Sequence, residues 1–127
     1  MISLNGAEQA ALVEREIMDR LGPEVFSRYE LLISDSSGFQ GKERDIVFLS
    51  MVDAPNKRTI PRVQDIYAQR YNVALSRAKD RMYMVHSITL DSLKNAKDMR
   101  RQALEHFRDP MPTEVARKAA TEDLLER

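Results

Sequence analysis

The chain has 127 residues, 43% hydrophobic and 31% charged, with a formal net charge of zero, which suits one globular domain with a real core and supplies no global field to hold it on nucleic acid or anionic lipid. There is no cysteine and only two scattered histidines, His86 and His106, so disulfides, thiolate sites and a His-based metal site are excluded and no metal ligand is expected in this chain. The longest apolar run, Ile46 to Val52, falls far short of the ~20 residues of a membrane helix, and no signal-like pattern opens the chain; no membrane partner is expected and a cytoplasmic location is the default.

Ile2 to Leu4 suggests the tail of a short strand. Asn5 and Gly6 then open a helix whose apolar positions Ala10, Val13, Ile17 and Leu21 recur at helical spacing, and Gly22-Pro23 stops it. Leu31 to Ser34 is the second strand and Asp45 to Val52 the third; the consecutive apolar side chains of the third predict burial on both faces, in the middle of a parallel sheet. A Pro- and Arg-containing loop, Asp53 to Arg62, leads to a helix over Val63 to Lys79, with a break near Tyr71-Asn72 as the alternative, and a fourth strand over Arg81 to His86. This alternation predicts an α/β layered domain. Met99 to Arg108 and Thr113 to Arg127 read as charged helices separated by Asp109-Pro110-Met111-Pro112, a trailing arm. Between Asp53 and Arg81 seven basic side chains face three acidic ones. A solvated face accounts for such a run, and so does a phosphate or backbone site.

Two stretches carry the chemistry. Gly38 to Asp45, GFQGKERD, sets two glycines, an amide and carboxylates ahead of the most apolar strand. Its bland account is a tight loop with Asp45 bonded locally to the strand start and Glu43 solvated. Glycines at the end of a strand also let backbone N–H groups approach a phosphate or sugar. Arg70 to Ala78, RYNVALSRA, puts Arg70 and Arg77 seven residues and two helical turns apart, so both project from nearly the same face. They could aim at one anion, or simply snorkel to water while Val73, Ala74 and Ala78 pack.

QGKERD with its apolar strand, followed by RYNVALSRAKDRMYMV, resembles motifs V and VI of superfamily 1 helicases, in the branch related to the nonsense-mediated-decay helicases. ISLNGAEQAALVE is similar to the motif IV region, with Gln9 at the position of its glutamine. The resemblance implies the second of two RecA-like domains that clamp ATP between them: a three-layer, P-loop NTPase-type fold with a mainly parallel sheet over residues 1–92, clipped at its amino end, and a helical arm or linker over 93–127. The sequence has no G-x-x-x-x-G-K-[ST] loop and no acidic strand end, the parts that hold phosphates and magnesium in the first domain. ATP, with its Mg²⁺, would thus be held by a separate first RecA-like domain of the same parent chain.

The resemblance further implies that Gln40 and Gly41 face the interdomain cleft, that Glu43 contacts the ribose, that Arg77 is the arginine finger and that Arg70 assists, all toward ATP. Ser36 and Ser37 stand where the family has a Thr-Val-Asp-like run that contacts single-stranded DNA or RNA. A bacterial subgroup of large helicase-like proteins, some with a nuclease-like domain further on, is similar too. Two alternatives stay open: a docking or regulatory module that keeps the fold without turnover, and a small independent nucleotide-binding enzyme, against which the missing phosphate loop speaks.

Overall fold

The computed structural model describes residues 1–53 and 61–108. Four strands, β1 (Ile2–Ser3), β2 (Ser34–Asp35), β3 (Arg44–Met51) and β4 (Ala78–His86), form one sheet in the order β2-β1-β3-β4, and every pairing is parallel. Four helices, α1 (Ala7–Leu21), α2 (Pro23–Arg28), α3 (Asp65–Leu75) and α4 (Met99–Arg108), connect and cover it. The expected α/β layered fold with a parallel sheet is present, and its topology fits a RecA-like domain.

The handedness of the connections places the layers. The step from β1 through α1 to β2 runs in one direction across the sheet, and the step from β3 through α3 to β4 runs in the other. Right-handed crossovers therefore put α1 and α3 on opposite faces. On the α3 face, Val47, Leu49 and Met51 of β3 are fully buried against Tyr71 and Ala74 of α3 and Ala103 and Leu104 of α4. The Tyr71 hydroxyl donates to the Met51 sulfur at 3.7 Å, and burial pushes its phenol up to about 12. Phe39, from the loop after β2, plugs the same layer with no exposed surface.

Several boundaries differ from expectation. Strand β3 is interior, as expected, but its second face is buried only at Ser50, beside Gln9: Ile46 and Phe48 are 49% and 48% exposed, because α1 lies over β1 and β2 and reaches only the margin of the next strand. Phe48 stacks on Tyr83 of β4, ring centroids 5.0 Å apart, and with Val85 they form a bare apolar strip. The second strand begins at Ser34, not Leu31, since its neighbour β1 offers only two residues to pair with; a short helix, α2, fills part of the interval. The helix expected through Lys79 stops at Leu75, and the fourth strand starts at Ala78, in register with Arg44 of β3. Pairing to β3 outweighs the helical preference of Ala78 and Lys79.

Helix α4 forms where one was expected. Asp98 is its N-cap, with a carboxylate oxygen accepting from the Arg100 backbone N–H at 3.0 Å. The helix packs on α3 and buries Ala103 and Leu104 in the core. The Lys57-Arg58 end of the basic run and the second charged stretch from Thr113 lie outside the described residues.

Candidate functional site

The loop from β2 to β3 is organised by Asp35. Its Oδ1 accepts from the Ser37 hydroxyl at 2.6 Å, the Gly38 N–H at 3.2 Å and the Ser34 hydroxyl at 3.5 Å. These bonds, that from Ser37 foremost, hold its carboxyl below the usual carboxylate range against the opposing effect of burial. The chain then makes one tight turn over Ser37–Phe39. A side chain at Gly38 would meet Ser34 Oγ at 1.8 Å and its Cβ at 2.6 Å, so the turn requires glycine. Gly41, at φ +76, takes a left-handed conformation that turns the loop back toward β3.

Asp45, expected to close this loop, is exposed. The brace comes instead from Arg44, whose Nε donates to the Glu30 carbonyl at 2.9 Å and Nη1 to the Glu43 carbonyl at 2.7 Å. Gln40, Gly41 and Glu43 are exposed at the amino end of β3. Ser36 is 5% exposed and the Ser37 hydroxyl donates to Asp35, so neither offers a free hydroxyl hydrogen at the surface.

Arg77 lies at the same end of the sheet. Its carbonyl accepts from the Arg44 N–H at 3.1 Å, which couples the two sequence motifs directly, and Lys79 beyond it stands 4.0 Å from the Glu43 carboxylate. The guanidinium folds back on the end of α3: Nε donates to the Val73 carbonyl at 3.1 Å, and Nε and Nη2 approach Ser76 Oγ at 3.2 and 2.9 Å. A cation at a helix C-terminus is favoured by the exposed carbonyls there. Because Arg77 follows the helix instead of continuing it, Arg70 and Arg77 do not share a helical face. Arg70 sits further back on α3, its guanidinium 5.8 Å from the Tyr67 ring centre.

Gln40, Gly41, Glu43 and Arg77 thus converge at the amino ends of β3 and β4, and Arg70 stands apart. Sequence reasoning missed Asp35, Arg44, Ser76 and Lys79 as the groups that shape this end. Asp35 carried a signal, since an Asp two and three residues before Ser-Gly is a turn former; the others depend on contacts between distant elements.

The carboxyl ends of the strands are closed by an internal polar network. Gln9 Oε1 accepts from Ser3 Oγ at 2.9 Å and Ser50 Oγ at 2.8 Å, while its Nε2 donates to the Val52 carbonyl at 2.8 Å. The Asn5 side chain donates to the same carbonyl. Arg62 Nη1 donates to the Leu4 carbonyl at 3.1 Å and Asn5 Oδ1 at 3.2 Å. Gln9, singled out by its position in the sequence, clamps α1 to β1 and β3. Among the described residues no group of three or more His, Asp and Glu could hold a metal ion, and no helix is long and apolar enough to cross a membrane.

No solved structure matches the chain significantly. A family model described as an AAA domain matches residues 6–89, a span that takes in α1, the Asp35 loop, the parallel strands β3 and β4 and the Arg77 turn. The chain belongs to this AAA domain family and is a helicase-like ATPase domain of the P-loop NTPase class.

Proposed function

We propose that the chain is the C-terminal motor half of an ATP-dependent helicase or translocase of the nonsense-mediated-decay-helicase-like branch, completing a nucleotide site whose phosphate loop and Mg²⁺ ligands belong to a separate first RecA-like domain. The observation that carries this is the Arg44-to-Arg77 backbone bond, which holds the Gln40-Gly41-Glu43 loop and the Arg77 guanidinium on one end of the sheet. A cleft formed when the first domain closes on this end would set Glu43 toward the ribose and Arg77 toward the γ-phosphate. A guanidinium that arrives only on closure stabilises the charge on the transferring phosphoryl group and ties ATP state to domain motion. Single-stranded DNA or RNA is the partner on which such a motor moves.

Alone, the chain offers few nucleotide contacts, so calorimetry with ATP and Mg²⁺ should give a dissociation constant no tighter than about 1 mM, a binding free energy of about −4 kcal/mol. Micromolar binding by the isolated chain would contradict a half-site. A docking module without turnover is a second reading, favoured by the bare apolar strip of Ile46, Phe48, Tyr83 and Val85.

A further inference from the structure

We propose that Ser76 is the positioning residue of Arg77, setting the guanidinium so that its unengaged edge faces an anion; this rests on the assignment of Arg77 above. Ser76 is exposed, so packing does not explain its contacts. Its Oγ donates to the Val73 carbonyl at 3.0 Å. That bond uses the hydroxyl hydrogen and leaves the lone pairs to accept, and both Nε and Nη2 of Arg77 approach them, at 3.2 and 2.9 Å. Nε also reaches the Val73 carbonyl at 3.1 Å.

One hydroxyl oxygen and one carbonyl therefore hold Nε and one side of Nη2. Nη1 carries no hydrogen bond among the described residues, and a guanidinium has five N–H donors in a fixed plane, so the opposite edge of the fork is free. An arginine side chain loses rotamer entropy when it is held in one geometry, and fixing its plane before a phosphate arrives removes part of that cost from the binding step. Without the hydroxyl, Nε retains only the Val73 carbonyl and Nη2 has no partner, so the plane can swing. Threonine keeps an oxygen at this position; alanine does not.

Ser76 could instead serve only to cap α3, in which case its removal would lower the melting temperature and leave the behaviour of Arg77 unchanged. NMR of the whole chain separates the two. The Arg77 Nε–H signal reports its hydrogen exchange, and titration with inorganic tripolyphosphate reports anion contact. Ser76→Ala should speed exchange at Nε–H about 10-fold, as expected for loss of a bond to a charged group, and weaken tripolyphosphate binding about 3- to 10-fold. Ser76→Thr should stay within about 2-fold of wild type in both, since the acceptor oxygen is retained.

If Arg77→Ala weakens tripolyphosphate binding but Ser76→Ala changes neither exchange nor affinity, the positioning role is overturned and the anion role of Arg77 stands. If tripolyphosphate raised to tens of millimolar, about ten times the weak affinity expected of a half-site, fails to shift Arg77, or Arg77→Ala leaves its affinity unchanged, the assignment of Arg77 falls and the role of Ser76 with it.

Discussion

Asp98→Ala should be the most damaging single truncation among the polar residues of this fold. The two carboxylate oxygens accept four N–H groups: Oδ1 takes the backbone and Nε of Arg100, at 3.0 and 3.1 Å, and Oδ2 takes Arg100 Nη2 at 2.8 Å and the Arg62 backbone at 3.2 Å. Both side chains of the ion pair are only 2% exposed. Removing the carboxylate takes from the buried Arg100 guanidinium the anion that accepts from its Nε and Nη2, a loss of about 3–5 kcal/mol, and the N-cap bond of α4 goes with it. Against a total stability of roughly 5–15 kcal/mol for a domain that is a large fraction. With a urea m-value of about 1.5–2 kcal/mol/M, the unfolding midpoint should fall by roughly 2 M. Urea titration followed by circular dichroism measures this. The double variant Asp98→Ala/Arg100→Met should recover much of the loss, because no charge is then buried. A midpoint shift under about 0.5 M, or a double variant worse than Asp98→Ala, would refute the account of a charge held by its partner.

The pH dependence follows from the same site. Burial alone would raise the Asp98 carboxyl, but hydrogen bonds from Arg100 and Arg62 more than offset it, leaving it below the usual carboxylate range. A depressed folded-state pKa gives stability that is present above the unfolded pKa of about 3.9 and is lost as pH falls through the folded value; the stability gap between wild type and Asp98→Asn should be full at neutral pH and close below about pH 4. Gly38→Ala should cost about 1–3 kcal/mol in thermal or urea unfolding, as overpacking does, because Ser34 Cβ cannot move away without the backbone; a neutral result would contradict the turn geometry. Gln9→Ala, which removes three hydrogen bonds at the carboxyl ends of β1 and β3, should lower stability by about 1–3 kcal/mol, and an unchanged midpoint would show that the clamp carries no energy.

The elements with strong local signals were legible. Helix α1, bracketed by Gly6 and Gly22, and the apolar run of β3 appear within a residue of where spacing and composition put them. What sequence could not supply was partnership. The extent of β2 depends on the two residues of β1 beside it, and the start of β4 on its register with Arg44. Ile46 and Phe48 read as buried because apolar runs usually are, but which face a helix covers is decided by crossover handedness and not by the strand itself. At the candidate site, the motif residues Gln40, Gly41, Glu43 and Arg77 were visible as a pattern. The same pattern misled where helix length was assumed: ending α3 at Leu75 separates Arg70 from Arg77. Asp98, one residue before the helix expected from Met99, drew no reading from the sequence, and its ion pair with Arg100 and its bond to Arg62, 36 residues away, are tertiary facts.

The central claim is that the Arg77 guanidinium acts on ATP held by a separate domain, and steady-state ATPase of the full-length protein carrying Arg77→Ala or Arg77→Lys, with nucleic acid present, tests it most directly. A contact made only on closure enters the transition state more than the ground state, so Arg77→Ala should reduce turnover by about 10³ or more with a much smaller change in nucleotide affinity. Arg77→Lys should not restore the rate, because an ammonium cannot present the planar fork. Turnover at the wild-type level in Arg77→Ala, with a lowered melting temperature as the only effect, would reduce Arg77 to a cap on α3 and contradict the account.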